Sequence, residues 1–363
     1  MPSPVTRARA LSSAVLASTA AAALILAGCG STSNADAGSS PQVVASFYPL
    51  AWVTERVAGD GTEVTNLTQP GGEPHDLELG IAQTAALEDA DLVVVEHGFQ
   101  PAVDDAVEGL DDSAVLDVED VVELRPATEH EGEDHHEEDA HADEEAHAGE
   151  EDTHADAHAD EEAHAGEEDT HADEHADEEA HADEEEDAHD HGDLDPHFWH
   201  DPLLMADLAD AVAAKLGELD PERAADFEAN AAELRTELEQ LDTSYAEGLA
   251  SCERDLVVVS HDAFGYLAKY GLHLEPIAGL SPDAEPTPAV IAELQDLIRE
   301  EGITTVFSER LASPAMAEAL AADTGVRTDV LDPIEGLSDE TADQDYLGLM
   351  QANLEALRRA NGC

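Results

Sequence analysis

Residues 221–249 read PERAADFEANAAELRTELEQLDTSYAEGL, a nearly unbroken helical pattern, with Asp220 placed to cap it and Pro221 suited to its first position. Roughly 30 residues at 1.5 Å each make a rod of about 45 Å, long enough to span two lobes. On both sides of this rod short apolar runs alternate with helical patterns. Upstream, residues 43–48, 63–67, 92–95 and 114–117 read as strands, with helices over 53–58, 81–89 and 103–109 between them; an amphipathic helix at 203–219 leads into the rod. Downstream, 256–259, 273–277, 304–307 and 328–331 read as strands, with helices over 263–270, 288–301, 314–323 and 345–360. Such alternation implies βαβ units and a parallel sheet on each side. The expected fold class is α/β, with two lobes joined by a long helix.

Charge narrows the partners. Asp and Glu number 87 against 14 Lys and Arg, for a net charge of −73. That balance argues against nucleic acid and anionic lipid surfaces, and suits a cationic cargo. Much of it sits in residues 129–195, which contain no Lys or Arg, almost no large apolar side chain, and thirteen of the 19 histidines. The stretch repeats itself: DEEAHAGEEDTHAD runs from Asp143 to Asp156 and again from Asp160 to Asp173, and a shortened copy begins at Asp177. It lacks the apolar surface needed to fold, so a disordered His-rich acidic insertion is expected there.

Arg7 and Arg9 followed by an apolar, Ala-rich run over 11–27 read as an export signal, too short to be a permanent membrane helix. The run ends Leu26-Ala27-Gly28-Cys29, which resembles the lipobox of bacterial lipoproteins, with Cys29 as the acylated thiol; the alternative is a plain signal peptide and a chance cysteine. Residues 31–41, rich in Ser, Asn, Asp and Gly, then form a tether. With Cys29 acylated, Cys252 and Cys363 remain, and in an oxidising compartment a Cys252–Cys363 disulfide is expected, tying the C-terminus to the start of the second lobe. Two free thiols or a thiolate metal site are the alternatives; the absence of a CxxC weighs against the latter.

Outside the insertion the histidines are His75, His97, His197, His200, His261 and His273. His75 follows a strand in PGGEPH, His197 lies in DPHFW, and His261 directly follows the strand ending Val259-Ser260. The carboxyl ends of strands in open α/β sheets form the ligand crevice, so three imidazoles from distant segments have a place to meet.

PGGEPH (70–75), DPHFWHDP (195–202) and VVSHDAFGYLAKYGL (258–272) resemble the signatures of the zinc-uptake solute-binding proteins of ABC importers, the ZnuA-like, metal-binding cluster A-I family. The acidic His-rich insertion and the FSE and LDP elements near the end fit the same pattern, so the resemblance covers nearly all of the mature chain. It implies two α/β lobes, each with a parallel-type sheet flanked by helices, joined by a long rigid helix. Their bounds would be a signal peptide over 1–28, a lipidated tether over 29–41, an N-terminal lobe over 42–128 completed by 196–219, the insertion over 129–195, a linking helix over 220–250, and a C-terminal lobe over 251–363. It implies His75, His197 and His261 as ligands of Zn2+, Asp332 as the candidate fourth ligand, and Glu309 as a residue orienting a ligand.

A histidine at the third position, where manganese-specific relatives carry a carboxylate, favours zinc. His200 stands where the family has an apolar residue, and a surface or rim role is expected for it. His97 is a candidate lining residue of the cleft, and His273 a structural one. The insertion reads as a low-affinity zinc collector, against incidental histidines in an acidic tract. The function implied is a monomeric, lipid-anchored extracytoplasmic receptor, not an enzyme, which delivers Zn2+ to an ABC permease and ATPase. A receptor for manganese or another divalent metal and a metal-buffering or adhesin surface lipoprotein are the alternatives. A zinc hydrolase is disfavoured by the lack of HExxH.

Overall fold

A computed structural model of the protein describes residues 40–127 and 194–363. The expected export signal, Cys29, nearly all of the tether and most of the insertion lie outside these residues. Leu194 and Asp195, assigned by sequence to the insertion, belong to the described fold: Leu194 forms an antiparallel bridge with Pro126, and the Asp195 N–H donates to the Arg125 carbonyl at 2.9 Å.

The first lobe is built on β1 (Val43–Ala45), β2 (Val64–Asn66), β3 (Leu92–Val95) and β4 (Val115–Asp117), in the order β2-β1-β3-β4 with every pairing parallel. The second uses β5 (Leu256–Val259), β6 (His273–Pro276), β7 (Thr305–Ser308) and β8 (Arg327–Val330), in the order β6-β5-β7-β8, again all parallel. The central runs LVVV of β3 and VVA of β1 are buried on both faces, as parallel strands covered by helices must be. Helices α1 (Tyr48–Ala58), α2 (Ile81–Glu88) and α3 (Pro101–Val107) flank the first sheet; α6 (Pro288–Glu300), α7 (Ala315–Thr324) and α8 (Tyr346–Asn361) flank the second.

Two long helices, α4 (Pro202–Leu219) and α5 (Ala224–Leu249), stand between the lobes. Asp201 caps α4 by accepting from the Leu203 N–H, with Pro202 in the first turn. The buried positions of α5, namely Phe227, Ala231, Leu234, Leu238, Leu241, Tyr245 and Leu249, recur every three or four residues and so make one apolar stripe. At 26 residues α5 is about 39 Å long. It joins one hydrophobic core that runs from Val53 and Leu208 in the first lobe to Met350 and Leu357 in the second.

α5 starts three residues later than the sequence suggests. Pro221 lies in a turn, and Arg223 precedes the helix with its guanidinium turned back to the first lobe, donating to Thr62 Oγ1 and the Ala58 carbonyl at 2.8 and 2.7 Å. The helix expected over 263–270 is instead a 3-10 segment, Gly265–Tyr270, because the backbone just before it is committed to the turn after β5. There Asp262 N–H donates to the Gly279 carbonyl and Ala263 N–H to that of His261.

Candidate metal centre

In both sheets the chain leaves each strand toward the same cleft, and four side chains meet there. His75 comes from the loop after β2, His197 from the turn before α4, His261 from the residues following β5, and Glu335 from the loop after β8. One ligand-type atom from each lies within 4.8 Å of all the others. The His197, His261 and Glu335 side chains are wholly buried, and that of His75 is 6% exposed. The three histidines anticipated from sequence are thus brought together; Asp332 is not among the group, and Glu335 holds the fourth place.

The spacing suits a small tetrahedral ion. Glu335 Oε1 lies 3.5 Å from His75 Nε2, 3.5 Å from His197 Nε2 and 3.2 Å from His261 Nε2. Four ligands at about 2.0 Å from zinc stand about 3.3 Å apart along a tetrahedron's edges. His75 Nε2, His197 Nε2 and Glu335 Oε2 are buried without a hydrogen-bond partner among the described residues, a costly arrangement that one cation at the centre satisfies.

The far nitrogens of two rings are held from behind. His197 Nδ1 is 2.9 Å from Asp195 Oδ1, and His261 Nδ1 is 2.9 Å from Glu309 Oε2. A carboxylate on Nδ1 fixes the tautomer that turns Nε2 toward a metal and raises the ring's basicity. Glu309 therefore stands where an orienting residue is expected.

The electrostatics describe a site that carries protons when it carries no cation. Burial opposes charge on His261, but Glu309 and Glu335 outweigh it and lift the ring to about 10. Burial likewise opposes charge on His197, and the Asp195 and Glu335 carboxylates beside the ring outweigh it, leaving it raised. His75 is lowered, because burial wins there. Burial would raise Glu335, but the three imidazoles grouped around its carboxylate hold it well below the carboxylate range. A metal ion entering this centre replaces protons rather than filling an apolar hole.

Asp332 is occupied elsewhere. Its Oδ1 accepts from the Ile334 N–H at 2.9 Å and its Oδ2 lies 3.2 Å from Arg310 Nε. Asn353 grips its backbone, accepting from the N–H at 2.9 Å and donating to the carbonyl at 2.7 Å. The buried Ile334 takes φ 60°, a conformation a β-branched side chain rarely adopts and one costing about 1–3 kcal/mol. Asp332 holds that turn, and the turn carries Glu335 into the cleft.

His200 is not at a surface or rim: it is fully buried, its ring 4.9 Å from that of Phe264, and burial pushes it down to about 3. His97, more than half exposed, pairs with Asp104 at 3.4 Å, and His273 lies on the surface 3.7 Å from Asp255. Neither belongs to the group. Cys252 and Cys363 form a disulfide.

Residues 43–360 match the profile of the family described as zinc-uptake complex component A, periplasmic (ZnuA). The chain belongs to the ZnuA family. It is 32% identical over 344 residues to the zinc-binding lipoprotein AdcA of Streptococcus pneumoniae, covering 93% of this chain and 58% of that protein. It is also 32% identical over 350 residues to the high-affinity zinc uptake system protein ZnuA of Bacillus subtilis, covering 93% of this chain and 94% of that one. The crystal structure of the Zn(II)-bound ZnuA-like domain of S. pneumoniae AdcA superposes with a TM-score of 0.63 at 29% identity, over 89% of this chain and 99% of that one. The chain thus spans little more than half the length of the AdcA proteins it matches. Members of the ZnuA family are extracytoplasmic metal-binding proteins.

Proposed function

We propose that this protein is a high-affinity extracytoplasmic receptor that captures Zn2+ between its lobes and delivers it to an ABC importer, without catalysing a reaction. The observation that carries this reading is the buried group of three imidazoles and one carboxylate at tetrahedral spacing. Three nitrogens and one oxygen suit zinc, whereas manganese favours more oxygens and six ligands. The ligand set is His75, His197, His261 and Glu335, with Asp195 and Glu309 orienting two of the rings. Four protein ligands fill a tetrahedral shell and leave no open position for an activated water or substrate, so the arrangement favours a carrier over a hydrolase. His97 and His200 stand outside the ligand set.

Likeness to AdcA and to the B. subtilis protein supports zinc as the cargo and a permease with its ATPase as the partner. Cys29 as the lipidated residue, after removal of residues 1–28, would hold the receptor on the outer face of the cell membrane. The tether, the two lobes and the linking helix follow the bounds given above, except that Leu194 and Asp195 join the N-terminal lobe and the linking helix begins at Ala224.

Calorimetric titration of the mature chain with Zn2+ tests the proposal. One tight equivalent is expected, lost in His261→Ala. A wild-type chain without a tight site, or a variant that keeps it, contradicts the proposal.

A further inference from the structure

His197 is bracketed by hydrogen bonds that cross from one lobe to the other. Two residues before it, the Asp195 carbonyl accepts from the Tyr266 hydroxyl at 2.8 Å, and the same hydroxyl accepts from the Arg125 N–H at 3.0 Å. Tyr266 belongs to the second lobe, on the 3-10 segment after His261. Two residues after His197, the Trp199 indole N–H donates to the Pro333 carbonyl at 2.7 Å. Pro333 is in the second lobe, two residues before Glu335. Trp199 itself packs in the first lobe, with its ring 5.1 Å from Phe47 and 5.4 Å from Phe99, and its carbonyl accepts from the Tyr346 hydroxyl of the second lobe.

These contacts bear on a geometric difficulty of the site. Its four ligands come from two bodies, and metal–ligand distances tolerate only about 0.2 Å. The helices between the lobes are long, and a small rotation about them moves a ligand by more than that. The Trp199 bond ties the segment of His197 to the segment of Glu335 beside the ion. The Tyr266 bond ties Asp195, which holds His197 Nδ1, to the segment carrying His261. Neither side chain belongs to the group of four ligands.

We propose that Trp199 and Tyr266 are positioning residues that bolt the His197 turn to the second lobe, and that these two bonds set how slowly the ion leaves. The proposal rests on the zinc-receptor reading and adds the structural element that controls release: opening the lobes must break these two bonds, together with the Tyr346 and Arg125 bonds beside them.

The test compares Trp199→Phe and Tyr266→Phe with Tyr245→Phe in the full mature chain. Tyr245 is a fitting control, since its buried hydroxyl donates to the Met350 carbonyl at 2.7 Å away from the site, so the same kind of bond is lost with no link to a ligand. Zinc dissociation is followed by chelator capture in stopped flow, and site geometry by the visible d–d bands of the Co2+-loaded protein. Each bolt variant is expected to release zinc about tenfold faster and to shift the cobalt bands, while Tyr245→Phe lowers only the melting temperature. Tyr266→Phe keeps the ring and the fold, and answers the question even if Trp199→Phe folds poorly. Wild-type release rates and bands in Tyr266→Phe, or equal acceleration in Tyr245→Phe, overturn the proposal while leaving the receptor reading in place. An unaltered chain that takes up no zinc overturns both.

Discussion

Replacing Cys252 and Cys363 together with serine removes a bridge between residues 111 apart in sequence. On the chain-entropy account a closed loop of that length lowers the entropy of the unfolded chain by about 16 cal/mol/K, or about 4.8 kcal/mol at 25 °C. For a fold of this size one kcal/mol corresponds to about 2 °C in melting temperature, so the variant should melt about 10 °C below the parent. The bridge joins the approach to β5 with the end of α8, at the end of the sheet where its strands begin, opposite the cleft. The noncovalent tie beside it remains, with Glu253 and Arg254 N–H both donating to the Asn361 carbonyl. Zinc affinity should therefore change by less than about twofold. Scanning calorimetry of the metal-free proteins and a chelator competition supply the two readings. A drop under about 2 °C would refute the loop-entropy argument. A large loss of zinc affinity would refute the separation of bridge and site.

Other consequences follow from the same arrangement. Glu335→Gln should weaken zinc binding more than about 100-fold, and Asp332→Asn by less, since one removes an anionic ligand and the other loosens the turn that carries it; the reverse order in chelator competition would return Asp332 to the ligand set. Glu96 is fully buried with neither carboxyl oxygen hydrogen-bonded among the described residues, and burial raises it well above the carboxylate range. The fold therefore keeps a proton that the unfolded chain loses above its ordinary value, and stability declines as pH rises from there toward the folded value. Glu96→Gln should accordingly raise the melting temperature more at pH 8 than at pH 4.5, and equal shifts at both would contradict this. Deleting residues 129–193, whose flanks Pro126 and Leu194 already pair, should leave one tight zinc equivalent and remove weaker ones; a full chain that binds only one equivalent would end the collector reading.

The strands were legible because burial on both faces forces continuous apolar runs such as Leu92–Val95, and the helices because their stripes and proline starts repeat. His75, His197 and His261 were legible because each sits in a distinctive motif at the end of a strand or loop. Glu335 was not. With 87 acidic residues in the chain, one glutamate two residues after a proline carries no signal of its own, and its direction depends on the positive φ of Ile334, which no pattern announces. Asp332 drew the assignment because it directly follows a strand, yet its carboxylate folds back on its own turn. His200 was misplaced for a similar reason: a polar residue beside a ligand reads as exposed, but Phe264 and Trp199 enclose it.

X-ray absorption at the zinc edge of the loaded mature protein addresses the ligand set most directly. Three imidazole nitrogens and carboxylate oxygen at about 2.0–2.2 Å, with no sulfur, are predicted. A sulfur shell near about 2.3 Å, or fewer than three imidazoles, would contradict the assignment of His75, His197, His261 and Glu335.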